Sequence, residues 1–155
     1  MKHFRTRTIG NGKNIVVMGR NTFFSIPAKH RPLASRTNVV LSRSCAGLDK
    51  TTLKEKGFPP EVHVIGSMED CWRLCVEELG ASSSLQCTVC VIGGEQVFRE
   101  VFNPTKSYLT QCARISLTRI DKVYDCDCVF PISEVKLKAL FKEDNDTKQQ
   151  FHEKG

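Results

Sequence analysis

Short apolar runs closed by glycine, proline or serine recur along the first two thirds of the chain. Four of them have the length of a buried strand: Asn14–Met18, Asn38–Leu41, Val62–Ile65 and Thr88–Ile92. Continuous β-branched runs are typical of parallel strands covered on both faces, because strands with one wet face alternate apolar and polar residues. The pattern therefore predicts a mostly parallel sheet.

Helix-like segments alternate with these runs. Met1–Thr8 has apolar residues on one face, and Arg20–Ser25 and Glu95–Phe102 each follow a strand and a glycine. The clearest helix begins after Ser67, a good N-cap, and its apolar stripe continues to Gly80. This alternation predicts that the whole 155-residue chain is one three-layer α/β domain with helices on both faces of the sheet.

The pattern changes in the last third. Ala113–Thr118 and Asp127–Phe130 resemble strands and are joined by an Asp-rich loop, which predicts antiparallel pairing in the C-terminal part. Lys136–Phe141 is short and amphipathic. Cys45–Pro60 is polar, and we expect a loop there with a helical turn at Thr52–Lys56.

The net charge of +6 is concentrated at one end of the chain. The first 43 residues hold nine Lys or Arg and no acidic residue, whereas the remainder holds fourteen basic and seventeen acidic residues. This concentration indicates an anionic partner, such as nucleic acid, a phosphorylated cofactor or a polycarboxylate, or else a solvated basic surface. Nucleic acid is disfavoured because only Phe4, Phe23 and Phe24 could stack on bases there, and no nucleic-acid-binding motif is present.

Eight cysteines raise the question of disulfides or a metal site. Cys87 and Cys90 form a lone C-x-x-C without a second pair at zinc-site spacing, and the four histidines are scattered. We therefore expect reduced, mostly buried thiols and no metal. No apolar run approaches the roughly 20 residues of a membrane span and no signal peptide is recognisable, so we expect a cytoplasmic protein without membrane contact.

The carboxyl ends of the predicted strands carry the candidate chemistry, because ligands of parallel sheets bind beyond those ends. Glycines there let the backbone approach a ligand, and helix N-termini favour an anion. Small residues, hydroxyls and two arginines together suit a dinucleotide phosphate chain, and an arginine beside a serine suits the 2′-phosphate that separates NADP from NAD. The ends are Gly19–Thr22, Ser42–Arg43, Gly66–Ser67 and Gly93–Gly94.

Six segments in a fixed order carry a further signal over nearly the whole chain. They are Ile15–Pro27, Arg31–Leu33, Asn38–Arg43, Val91–Phe98, Leu117–Ile120 and Phe130–Pro131. Together they resemble dihydrofolate reductase. The resemblance implies an oxidoreductase of one-carbon metabolism that reduces dihydrofolate to tetrahydrofolate by hydride transfer from NADPH.

The resemblance also implies a role for each matching residue. The phosphates and adenosine of NADPH would be held by Gly19, Arg20, Asn21, Thr22, Leu41, Ser42 and Arg43. The pyrophosphate and nicotinamide would contact Gly93, Gly94, Glu95, Gln96, Val97 and Phe98, with a cis peptide joining the two glycines. Dihydrofolate would pack its rings against Met1, Phe4, Ser25, Ile26, Leu33 and Ile92. Arg36 would clamp the glutamate α-carboxylate, and Thr118 would orient the general acid. Without the resemblance, the apolar members of this set would be read as core.

Against the family pattern the chain is short at both ends. We expect the first interior strand, the mobile loop and the last strand to be missing, and the general-acid carboxylate, which precedes the position of Met1, to be absent. The prediction is a dihydrofolate reductase-like domain that is incomplete at both ends and forfeits general acid catalysis.

Three alternatives stay open at this stage. The chain could be a shortened, non-catalytic protein that binds NADP or folate, or a basic protein that binds nucleic acid. It could also be the reductase part of a bifunctional enzyme, with thymidylate synthase fused to it or associated with it. Nothing in these residues codes for that partner.

Overall fold

A computed structural model describes residues 2–11, 13–78 and 87–144, and within them one four-stranded sheet forms. Its strands run parallel in the spatial order β3-β2-β1-β4. The predicted parallel sheet is confirmed, and each strand begins and ends within one residue of its predicted bounds. The strands are β1 (Ile15–Gly19), β2 (Thr37–Leu41), β3 (His63–Ile65) and β4 (Val89–Gly93).

Short α-helices connect and follow the strands. A π-helical turn, Leu74–Glu78, continues the fourth helix, whose predicted end at Gly80 lies outside the described residues. Ser67 caps that helix as predicted, its hydroxyl accepting the Asp70 N–H at 3.1 Å. The helices are α1 (Lys2–Ile9), α2 (Arg20–Ser25), α3 (Lys50–Glu55), α4 (Met68–Arg73), α5 (Glu95–Val101) and α6 (Glu134–Leu140).

Alternate residues of the strands point to opposite faces and build two cores. Ile15 and Val17 of β1 belong to the first core, with residues of α4 and α5. Val16 and Met18 belong to the second core, with Phe23 of α2. All five side chains are at most 1% exposed. Helices therefore cover both faces of the sheet, which explains why these strands are continuously apolar.

The polar segment Cys45–Pro60 contains more order than predicted. Lys50–Glu55 forms α3, and the Asp49 carboxylate accepts the N–H groups of Thr51 and Thr52 at 2.9 and 3.1 Å. The Thr52 hydroxyl also donates to the Asp49 carboxylate at 2.6 Å, and this bond, followed by the backbone N–H bonds, lowers the pKa of Asp49. An acidic N-cap immediately before a short helix is the signal that the hydropathy pattern does not contain.

The C-terminal part differs from the prediction. The segments predicted as strands, Ala113–Thr118 and Asp127–Phe130, are irregular, and the described residues form no antiparallel pair. Every residue from Ala113 to Phe130 except Ile115 is exposed. Strand propensity is realised only where a partner supplies the ladder and a face is buried, and neither condition holds here.

No helix in the described part of the chain combines the length and the apolar character needed to cross a membrane. The eight cysteines are free thiols: Cys45, Cys71 and Cys75 are buried, and Cys126 and Cys128 are exposed. Among the described residues, no group of three or more His, Cys, Asp or Glu side chains is arranged to hold a metal ion.

Candidate functional site

The carboxyl ends of the strands meet at one edge of the sheet, as the sequence predicts. Gly19 lies opposite Leu41 in the ladder between β1 and β2, and Leu41 lies opposite Ile65 of β3. On the other side, Met18 lies opposite Gly93 of β4. Because α2 begins at Arg20 and α5 at Glu95, both helices start at this edge. We call this edge the strand-end cleft.

Glycines let the backbone at the strand-end cleft pack closely against neighbouring groups. A Cβ atom on Gly94 would lie 2.9 Å from the Thr22 hydroxyl oxygen, and one on Gly19 would lie 3.3 Å from Val97 and 3.6 Å from the Gly94 nitrogen. Gly93 has a φ of +131°, which L side chains rarely adopt. The Gly93–Gly94 peptide is cis, as the resemblance implies. Backbone atoms thus line the part of the cleft between α2 and α5.

Adding a methyl group at Gly94 should destabilise the protein through its contact with Thr22. We expect Gly94→Ala to lower the free energy of unfolding by roughly 1–3 kcal/mol, since its φ of −91° suits alanine and overpacking is the remaining cost. Thr22→Ala removes the clashing oxygen, so the double variant should recover most of that loss. Urea unfolding of all four proteins measures this, and equal losses in both Thr22 backgrounds would contradict it.

Two arginines bring positive charge to the strand-end cleft, and no salt bridge in the described ranges neutralises it. Arg20 and Arg43 are exposed, and across the described ranges neither forms a salt bridge. The ion pairs that do form join residues between Asp70 and Asp144. Charge that is not paired within the protein remains available to an anion, so this edge fits a phosphate-bearing cofactor.

Several predicted cofactor residues point away from the cleft or into the protein. Ser42 is 7% exposed, and its backbone N–H donates to the Ile65 carbonyl at 2.8 Å. Glu95 accepts a 2.8 Å hydrogen bond from Arg99 Nε, which lowers the pKa of Glu95. Val97 is buried in the first core and Phe98 packs edge-on against another ring. Asn21 and Gln96 are exposed, Gly19 and Gly94 are half-buried, and Gly93 is buried.

The predicted substrate residues that are described mostly surround the second core. Leu33 is buried there, and Phe4, Ile26 and Ile92 are half-buried and pack against it. They come from α1, from the end of α2, from the following loop and from β4. The structure therefore brings together four apolar side chains from different elements, which also contribute to the second core. We call these four side chains the apolar wall.

Arg36 extends this apolar wall with a fixed positive charge. Its Nη1 donates to the Thr8 hydroxyl at 2.6 Å and its Nε to the Ala34 carbonyl at 3.1 Å, while the guanidinium lies 5.9 Å from the centre of the Phe4 ring. Burial, and after it the charge of Arg5, lowers the pKa of Arg36. A guanidinium held beside an aromatic ring suits a carboxylate-bearing aromatic ligand.

Asn38 is a residue that the sequence analysis missed. Its side chain is 3% exposed, accepts the Leu33 N–H at 2.9 Å, and donates to the carbonyls of Leu33 and Arg36, both at 2.9 Å. These bonds hold the loop that carries Leu33 and Arg36. A polar residue at the start of an otherwise apolar strand, next to a proline loop, is the signal that could have revealed it.

Removing the Asn38 amide should loosen this loop. We expect Asn38→Ala to cost roughly 2–4 kcal/mol of unfolding free energy, because two buried backbone groups and one part-buried carbonyl lose their partner. Asn103→Ala is the matched control, since Asn103 holds an exposed turn through Thr105. Chemical denaturation measures both variants, and similar losses in the two would contradict the role of Asn38.

Among the remaining predicted site residues, Thr118 is joined to none of the others by a contact in the described residues, whereas Ser25 is bonded to Thr22. Thr118 lies in the exposed C-terminal segment and forms no hydrogen bond within the described part of the chain. Ser25 is exposed, and its hydroxyl donates to the Thr22 carbonyl at 2.8 Å. Met1 lies outside the described residues. Because the strand predicted to carry Thr118 does not form, no register fixes its position.

A family model described as dihydrofolate reductase matches residues 1–154. Among curated relatives, dihydrofolate reductase of Aedes albopictus is 29% identical over 143 residues, which cover 92% of this chain and 68% of that protein. Dihydrofolate reductase of Rattus norvegicus is 34% identical over 140 residues, covering 89% and 65%. A bifunctional dihydrofolate reductase-thymidylate synthase of Glycine max is 41% identical over 119 residues, covering 77% and 20%.

The matched region is shorter than the relatives themselves. The chain spans about two thirds of the mosquito and rat proteins and one fifth of the soybean protein. The segment matched by the family model, residues 1–154, includes both the strand-end cleft and the apolar wall beside Arg36.

Proposed function

The chain belongs to the dihydrofolate reductase family, and from this premise we propose that its protein reduces dihydrofolate to tetrahydrofolate with NADPH. The observation that carries the proposal is the pairing of two different binding surfaces on one sheet. The strand-end cleft offers a glycine backbone and two arginines that form no salt bridge within the described ranges, and an apolar wall beside it ends in Arg36.

The cofactor side of the proposal uses the strand-end cleft. Arg20, Asn21 and Thr22 at the start of α2 hold the phosphates, and Arg43 beyond β2 holds the 2′-phosphate, which makes NADPH the nicotinamide cofactor. The backbone at Gly94 can approach the pyrophosphate closely because Gly94 itself carries no side chain. NADPH supplies the hydride when it is bound.

The substrate side uses the apolar wall. Phe4, Ile26, Leu33 and Ile92 pack against the pteridine and aminobenzoyl rings, and Arg36 pairs with the glutamate α-carboxylate. Ile92 lies in the same strand as Gly93, so the two surfaces meet at the end of β4. That adjacency brings a planar ring held by the wall to the nicotinamide end of the cleft.

Proton donation is proposed for the whole protein rather than for these residues alone. In the described ranges, no Asp or Glu occurs before Asp49, so the segment around α1 and Arg36 contributes no carboxylate. Thr118 keeps its proposed role as an orienting residue. Cytoplasmic residence is likewise proposed, since reduced thiols and a diffusible substrate are typical of that compartment.

Titration calorimetry with NADPH and with methotrexate, beside an absorbance assay of dihydrofolate-dependent NADPH oxidation, tests the proposal on this chain. Binding of both ligands with turnover supports the full proposal. Binding of both without turnover supports the two surfaces and assigns catalysis to a protein that supplies the carboxylate. A folded chain that binds neither ligand overturns the proposal.

A further inference from the structure

Arg20, the first residue of α2, has an aromatic partner. Its guanidinium carbon lies 5.7 Å from the centre of the Phe24 ring, one turn along the same helix. A guanidinium within about 6 Å of a ring centre is attracted by the negative face of the ring. Since Arg20 forms no salt bridge within the described ranges, the Phe24 ring is the group that orients its charge.

The Phe24 ring is itself held in place from several sides. Its centre lies 5.0 Å from that of Phe58 and 5.3 Å from that of Phe23, in edge-on arrangements of 64° and 82°. Both neighbours are essentially inaccessible, at 1% and 0% exposure. A Cβ atom on Gly57 would approach the ring edge to 3.3 Å. The ring thus has little freedom to turn away from Arg20.

Arg31 fixes the backbone that carries the ring. Its Nη1 donates to the carbonyls of Phe24 and Ile26 at 3.0 and 3.2 Å, which satisfies carbonyls at the end of α2. The same guanidinium lies 4.9 Å from the centre of the Phe24 ring. Two arginines therefore contact one ring: Arg31 is tied to the backbone, whereas Arg20 is exposed at the strand-end cleft.

We propose that Phe24 is a positioning residue for the cofactor, because its ring holds the Arg20 guanidinium ready for the phosphates of NADPH. This inference rests on the proposed function, from which the role of Arg20 comes. Ordering a free, rotamer-rich side chain on binding weakens affinity by roughly threefold to tenfold. A ring that orders Arg20 beforehand removes that loss. Phe24 faces Arg20 and the rings of Phe23 and Phe58, and it need not touch the ligand.

The test is a double-mutant cycle on NADPH affinity, measured by titration calorimetry on the full chain. We expect Phe24→Leu to weaken NADPH binding by roughly threefold to tenfold and to leave methotrexate binding within about twofold. In an Arg20→Ala background, Phe24→Leu should cause no further loss, since there is no guanidinium left to position. Phe24→Tyr keeps the ring and should bind NADPH like the wild type.

Arg20→Lys tests the same point without touching the core. Lysine keeps the charge but lacks the planar group that stacks on a ring, so NADPH affinity should fall by roughly threefold to tenfold. Wild-type affinity in Arg20→Lys overturns the inference. So does an equal loss from Phe24→Leu in both Arg20 backgrounds.

A measurement on the ligand-free protein separates this inference from the proposed function. The side-chain NMR signals of Arg20 should show the upfield displacement caused by an aromatic ring face, and they should lose it in Phe24→Leu. Absence of that displacement overturns the inference. If the displacement is present but the wild type binds no NADPH, the Arg20–Phe24 contact stands, while the cofactor role of both residues falls with the proposed function.

Discussion

Replacing Arg36 by leucine should weaken methotrexate binding by about 100- to 1,000-fold. The proposed contact is a two-point, charge-assisted pair with a carboxylate, and each hydrogen bond to a charged group contributes roughly 1.5–3 kcal/mol. The guanidinium is already fixed by Thr8 and the Ala34 carbonyl, so little of its binding energy is spent on ordering. Titration calorimetry gives the dissociation constants directly.

Two controls separate the carboxylate contact from general damage at Arg36. Trimethoprim, an antifolate without a glutamate tail, should bind the variant within about threefold of the wild type, because it offers no carboxylate for Arg36. Arg36→Lys keeps one charge but not the paired geometry, and it should lose roughly tenfold for methotrexate. Equal losses for the two antifolates would contradict the assigned role and indicate a collapsed wall instead.

Phe23→Ala should cause the largest loss of stability among the aromatic side chains. Phe23 is 0% exposed, its ring is stacked 5.5 Å from that of Phe58, and it belongs to the core between α2 and the sheet. Truncating such a residue costs about 3–5 kcal/mol, against a total of roughly 5–15 kcal/mol for a domain. Denaturant unfolding followed by circular dichroism measures the change.

Phe102→Ala serves as the matched control for Phe23. Phe102 is half-buried and contacts Phe130 edge-on at 5.4 Å, on the opposite side of the sheet from α2. Because a half-buried ring removes less apolar area from water on folding, we expect Phe102→Ala to lower the unfolding free energy by about 1–2 kcal/mol. A Phe23 variant no less stable than the Phe102 variant would show that the α2 layer contributes less than its burial indicates.

The parallel sheet was predictable because its strands are buried on both sides. Val16 and Val17 point into different cores, yet each core selects apolar residues, so the run reads as continuous. Glycines mark the ends of β1, β3 and β4, and the carboxyl ends of parallel strands must share an edge. The position of the strand-end cleft follows from these two facts alone.

The C-terminal segment and the inner contacts of the site were not predictable in the same way. Leu117 and Val129 are 57% and 69% exposed, although their neighbourhoods read as strands, because an apolar composition does not specify what will cover it. Asn38 stands out as a polar residue in an apolar strand, but its partner Leu33 is set by tertiary packing. Phe24 and Arg20 have helical i, i+4 spacing, but the spacing alone does not reveal the buried rings that hold Phe24 in place.

The placement of the cysteines gives this chain internal reporters of how it comes apart. Cys71 and Cys75 lie in the layer between α4 and the sheet, whereas Cys45 lies in the layer formed with α2 and α3. A maleimide reagent reaches Cys126 and Cys128 in the native state but reaches the buried thiols only when their own layer opens. Mass spectrometry of labelled peptides would therefore time the release of each layer separately, without an engineered cysteine.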